Sequence, residues 1–91
     1  MARVTCMFLQ DLRLKAGTHK LVVELPEGST VRDLLNLVPE AVVREVVEGD
    51  RIKPPADILV NGRSIQLLEG LDTRLRDGDT VVFTQVRLFV L

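Results

Sequence analysis

The sequence predicts an α+β roll. Three observations carry that class: period-two apolar alternation near both ends of the chain, one capped helical stripe after the second strand, and two tight turn signals in the second half. The resulting order is strand, strand, helix, short helix, strand, strand, strand. All 91 residues then form one domain, because a chain this short does not split into several cores.

Val4, Cys6 and Phe8 alternate with Arg3, Thr5 and Met7, which predicts a strand over Arg3 to Leu9. A connection from Gln10 to Thr18 leads to Leu21, Val23 and Leu25, which alternate with Lys20, Val22 and Glu24. The two strands read as a hairpin with a long loop. Pro26, Glu27 and Gly28 end the second strand, and Ser29 or Thr30 is placed to cap a helix starting near Val31. Val31, Leu34, Leu35 and Val38 fall on one helical stripe, while Arg32, Asp33 and Asn36 stay wet.

Pro39 stops that helix by Val38 and opens a second, shorter one through Val42, Val43, Val46 and Val47, with Gly49 as its stop. Asp50 to Asp57 reads as an irregular connection. Asn61-Gly62 is the strongest turn signal, since both residues tolerate the positive φ of a type I′ turn, so Ile58–Val60 and Ser64–Leu67 should pair. A single turn near Leu71 to Thr73, the Asp77-Gly78-Asp79 turn and a last strand from Thr80 complete the chain.

Composition excludes several classes of function. Twelve basic against thirteen acidic residues give a formal charge of -1, so no overall basic field draws in nucleic acid or a membrane surface. The aromatics are only Phe8, Phe83 and Phe89, too few for base-stacking platforms. No apolar run reaches the roughly 18 residues of a membrane span. A single cysteine and no signal-peptide pattern predict a cytoplasmic protein.

Catalytic, metal and cofactor sites are equally poorly served, and no catalytic, cofactor-binding or metal-ligating residue is assigned. Cys6 shares its face with Val4 and Phe8 and reads as core rather than as a nucleophile activated by His19. His19 has no second histidine with which to build a zinc site. Asp77, Gly78 and Asp79 lack the remaining ligands of a calcium loop, and Gly28 lacks P-loop spacing. Arg63, Arg74 and Arg76 form a candidate basic patch for an acidic partner, weighed against ordinary surface solvation.

One set of residues, taken together, is similar to a known family. Ile58-Leu-Val-Asn-Gly-Arg63 and Leu71-Asp-Thr-Arg-Leu-Arg-Asp-Gly-Asp-Thr-Val-Val-Phe83, preceded by Leu25-Pro-Glu-Gly-Ser-Thr-Val-Arg-Asp-Leu-Leu35, resemble the MoaD/ThiS family. The resemblance implies the ubiquitin-like β-grasp roll, a mixed sheet of about five strands wrapped on one main helix plus a short second helix. It also implies a small sulfur carrier of molybdopterin or thiamine biosynthesis, or a modifier joined to protein lysines.

Carrier chemistry in that family uses a C-terminal Gly-Gly, whose thin tail threads an activating enzyme so that its carboxylate is adenylated by ATP. Here the last glycine is Gly78, and the final residues read Thr84-Gln-Val-Arg-Leu-Phe-Val-Leu91. The expectation is therefore a non-conjugating relative that acts by protein binding and is not an enzyme. Its partner-binding residues are Val86, Leu88, Phe89, Val90 and Leu91, which put apolar side chains on both sides of an extended ribbon. The partner implied is a protein: an activating enzyme, a synthase large subunit, or a second copy of the chain. The alternative is a ubiquitin-like interaction or oligomerisation module, unrelated to sulfur transfer, that uses the same tail.

Overall fold

The computed structural model describes residues 1–85. Strand β1 (Ala2–Phe8) buries Ala2, Val4, Cys6 and Phe8 and turns Arg3, Thr5 and Met7 outward, as the alternation requires. It pairs antiparallel with β2 (Lys20–Leu25), setting Val4 opposite Val23 and Cys6 opposite Leu21. The segment between them, read from sequence as an open connection, contains helix α1 (Asp11–Ala16). Asp11 favours its positive end, and Gly17 closes it at φ 74 with its N–H on the Arg13 carbonyl. With only Leu12 buried in six residues, α1 shows no helical period in the sequence.

Thr30 caps α2 (Val31–Leu34) with a reciprocal pair of bonds: its hydroxyl oxygen accepts from the Asp33 N–H, and the Asp33 carboxylate accepts from the Thr30 N–H at 2.9 Å. Regular helix ends four residues earlier than the stripe to Val38 predicts. The Asn36 and Leu37 amides reach back three residues, to Asp33 and Leu34, so the chain tightens ahead of Pro39 while Val38 stays buried. Pro39 then caps α3 (Glu40–Val46). This helix stops before Val47, and Gly49 is not its terminator. Val47–Glu48 (β3) pairs instead with Arg51–Ile52 (β4), with Gly49 at φ 62 between them, because β-branched valine accepts an extended backbone readily.

Strand β5 (Ala56–Val60) meets β6 (Arg63–Ser64) across Asn61 and Gly62, at φ 50 and 85. Both values are positive, as the turn signal demands. The expected longer partner strand gives way at Ile65–Leu67 to a 3₁₀ turn: the Ser64 hydroxyl oxygen accepts from the Gln66 N–H at 3.2 Å, and Ile65 drops into the core. A second 3₁₀ turn covers Gly70–Asp72, one residue from the turn read in sequence.

Strand β7 (Thr80–Gln85) lies between β1 and β5, giving the order β2-β1-β7-β5-β6. It runs parallel to β1 and antiparallel to β5. The result is a five-stranded mixed sheet whose inner face packs on short helices, with Phe8 and Phe83 stacked at 5.3 Å between ring centroids. Among the described residues no helix is long and apolar enough to cross a membrane.

Phe83 is fully buried on the central strand, so Phe83→Ala is expected to cost about 3–5 kcal/mol in urea unfolding. Thr30→Ala, which removes one helix cap, should cost only about 1 kcal/mol in the same measurement.

Candidate protein-docking site

The face of the sheet opposite the core carries the candidate site, and strand register builds it. Met7 lies opposite Lys20 on one side and Val82 on the other, Val82 opposite Leu59, and Leu59 opposite Ser64. One rank of side chains therefore crosses all five strands, with three apolar residues at its centre and a polar residue at each end. Met7, Val82 and Leu59 are half-buried, whereas their neighbours along each strand are in the core. Val22, beside Thr5 in the next rank, is 48 % exposed.

Polar groups frame this stripe. On one side Asp57 accepts from the Ser64 hydroxyl at 3.0 Å and from the Gln66 amide at 3.4 Å. On the other, Arg3 pairs with Glu24 at 3.3 Å. An apolar centre inside a satisfied polar rim is the form of a protein-binding patch. None of Met7, Val22, Leu59 or Val82 was singled out in the sequence; period-two alternation places each of them on the outer face, but an isolated apolar residue there is ordinary.

The end of β7 is held by one side chain. Gln10, at φ 55, turns its side-chain oxygen onto the end of β7 and accepts from the Thr84 hydroxyl at 3.1 Å and the Gln85 N–H at 2.8 Å. The five residues assigned from sequence to partner binding, Val86, Leu88, Phe89, Val90 and Leu91, lie outside the described residues.

The other sequence candidates fall where their chemistry is quiet or separate. Cys6 is buried in the core and His19 is exposed before β2, so the two do not meet. Burial raises the Cys6 thiol from 9.0 to about 11. Asp77 and Asp79 serve their turn: Asp77 accepts from the Arg3 N–H and Asp79 from the Arg76 N–H, each at 2.8 Å. Arg63, Arg74 and Arg76 do come together, at one end of the sheet. Arg32, on α2, holds Asp50 at 3.1 Å and Asp72 at 3.3 Å; the bonds to Asp50 and then Asp72 raise its pKa further. It is a clasp between α2 and two turns.

A sheet with a central parallel pair, its first and last described strands adjacent, and an open apolar outer face defines a ubiquitin-like β-grasp module. The chain belongs to the ThiS family, whose model matches residues 6–86. It is similar to Small archaeal modifier protein 3 of Haloferax volcanii, 29 % identical over 77 residues that cover 81 % of this chain and 84 % of the relative. Ubiquitin-related modifier 1 homolog 1 of Arabidopsis thaliana is 35 % identical over 74 residues, covering 71 % of this chain and 73 % of that protein. A Pyrococcus furiosus structure named for molybdopterin converting factor subunit 1 superposes with a TM-score of 0.75 at 30 % identity, covering 93 % and 98 % of the two chains.

With the Cys6 thiol raised to about 11, alkylation by iodoacetamide at pH 8 should be negligible in the native protein and rapid in urea, read by intact mass. The sign of the linkage follows. The folded state holds this proton more tightly than the unfolded one, so the stabilisation is full below pH 9.0 and lost as pH rises towards about 11, which alkaline urea titrations of wild type and Cys6→Ala would resolve.

Proposed function

We propose that this ThiS-family chain acts as a small docking module, binding a protein partner non-covalently through the outer face of its sheet. The observation that carries this reading is the Met7–Val82–Leu59 rank, half-exposed and ringed by satisfied polar groups. The apolar residues that follow β7 in the chain, Val86, Leu88, Phe89, Val90 and Leu91, add to the same contact. An activating enzyme of the sulfur-carrier type or a synthase large subunit is the partner class that the family supplies, and the module works beside it in the cytoplasm.

The docking reading rests on the outer face itself, whose apolar rank offers a contact surface that needs no covalent bond. The second reading is a carrier or modifier joined covalently to sulfur or to lysine, which the names of the two modifier relatives favour. Intact mass of the protein purified from its own cells separates the two. An unmodified mass supports docking alone; a thiocarboxylate or a lysine-linked adduct establishes the covalent reading.

Burying Leu59 and Val82 against a partner makes charge there costly, so Leu59→Glu and Val82→Glu should each weaken capture of the native activating enzyme at least about tenfold in a binding titration. Unchanged capture by both variants overturns the sheet-face assignment. Sedimentation of the full chain and of a chain ending at Gln85, over a range of concentrations, tests the second-copy alternative: a dimer in the first and a monomer in the second would move the tail from partner binding to self-association.

A further inference from the structure

We propose that Arg63, Arg74 and Arg76 form a second docking surface, one that receives an acidic segment of a partner protein. The three arginines line a single surface concavity of about 460 Å³ together with Asn61, Leu68 and Asp79. This surface is separate from the Met7–Val82–Leu59 rank and does not depend on it. Arg63 pairs with Val60, a core-face position, whereas the next residue, Ser64, pairs with Leu59 on the outer face, so the edge strand presents its arginine away from the apolar stripe.

The backbone that carries the cluster is held in place before any ligand arrives. Arg74 bridges to Thr30, the Leu75 N–H donates to the Ser29 carbonyl at 2.8 Å, and buried Leu75 leaves both flanking arginines outside. The Arg76 N–H donates to Asp79 at 2.8 Å, and the other Asp79 oxygen accepts from the Asn61 amide at 2.9 Å. Asp79 is therefore already occupied by the turn it stabilises.

The three guanidinium groups form no ion pair among the described residues, and unlike Arg13 and Arg51, which also form none, they are gathered around one concavity. Arg3, Arg32 and Arg44 each hold a carboxylate within 3.3 Å, while among the described residues no carboxylate lies within ion-pair distance of Arg63, Arg74 or Arg76. Three cations face the single carboxylate of Asp79 around one concavity, which leaves a net positive charge there that an anionic occupant would offset. Guanidinium forks match carboxylates in a two-bond geometry, and half-buried Leu68 offers an apolar side chain somewhere to rest.

Nucleic acid fits the surface less well. The formal charge of -1 gives no long-range attraction, and Phe8 and Phe83 are in the core, away from any base. A small free anion on exposed arginines gains little against water, whereas a polypeptide that spans all three and covers Leu68 excludes water as it binds.

The test is a titration of the full chain into a fluorescein-labelled peptide of alternating Glu and Leu, at low and high salt, followed by anisotropy. Wild type should bind with an affinity that falls as salt rises. The R63E/R74E/R76E variant should lose about tenfold or more, the sum expected from three exposed ion pairs, while R13E on α1 binds as wild type. Circular dichroism checks the fold of each variant, and R74Q/R76Q, which keeps the surface polar, should show an intermediate loss. Equal binding by wild type and the triple variant, no binding by wild type, or tighter binding of a uridine-rich RNA than of the peptide would each overturn the proposal.

Discussion

The structure depends on one strand pairing. β7 sits between β1 and β5, and the inward side chains of those strands, Cys6, Phe8, Ile58, Val81 and Phe83, make the floor of the core on which the helices rest. β1 and β7 run parallel, so neither a hairpin nor a tight turn can join them. The chain from β2, at one edge, to β5, on the far side of β7, has to cross over the sheet, and that crossing carries α2 and α3. Strand alternation then fixes the other face without further instruction: if Val81 and Phe83 point in, Val82 must point out, and Met7 and Leu59 come to lie beside it.

Much of this was legible in the residues. Period-two alternation located β1, β2 and β7, and the Asn61-Gly62 pair located the β5–β6 turn, because positive φ at two successive positions leaves few other residue types able to serve. Thr30 and Asp33 marked the start of α2 through the bonds they exchange. The departures share a physical origin in short elements. α1 buries one residue, Leu12, and so has no period to detect; Val47 and Ile65 were assigned by continuation of a pattern when local geometry had already ended it. Propensity sums weakly over six residues, and tertiary contact decides.

The candidate sites were legible to different degrees. Three arginines in one region could be suspected from sequence because Arg74 and Arg76 straddle an apolar residue and Arg63 follows a turn, but only the fold shows that this turn and the segment before β7 meet. The apolar rank on the outer face could not be read, since its members come from β1, β5 and β7 and are separated by most of the chain. The two proposed surfaces lie apart: an apolar face across the sheet, and a cationic hollow beyond its edge strand.

The parallel pairing of the first and last described strands also sets when the molecule can form. During synthesis β1 is made before its second neighbour, β7, so until β7 emerges Cys6 lacks Val81 beside it and Phe8 lacks the Phe83 ring. The nascent chain can make the β1–β2 hairpin and local helical turns, but loop-closure entropy opposes the central contact until Thr80–Gln85 is available. A stalled or shortened product would present an open β1 edge, the kind of edge on which chains pair with the wrong neighbour.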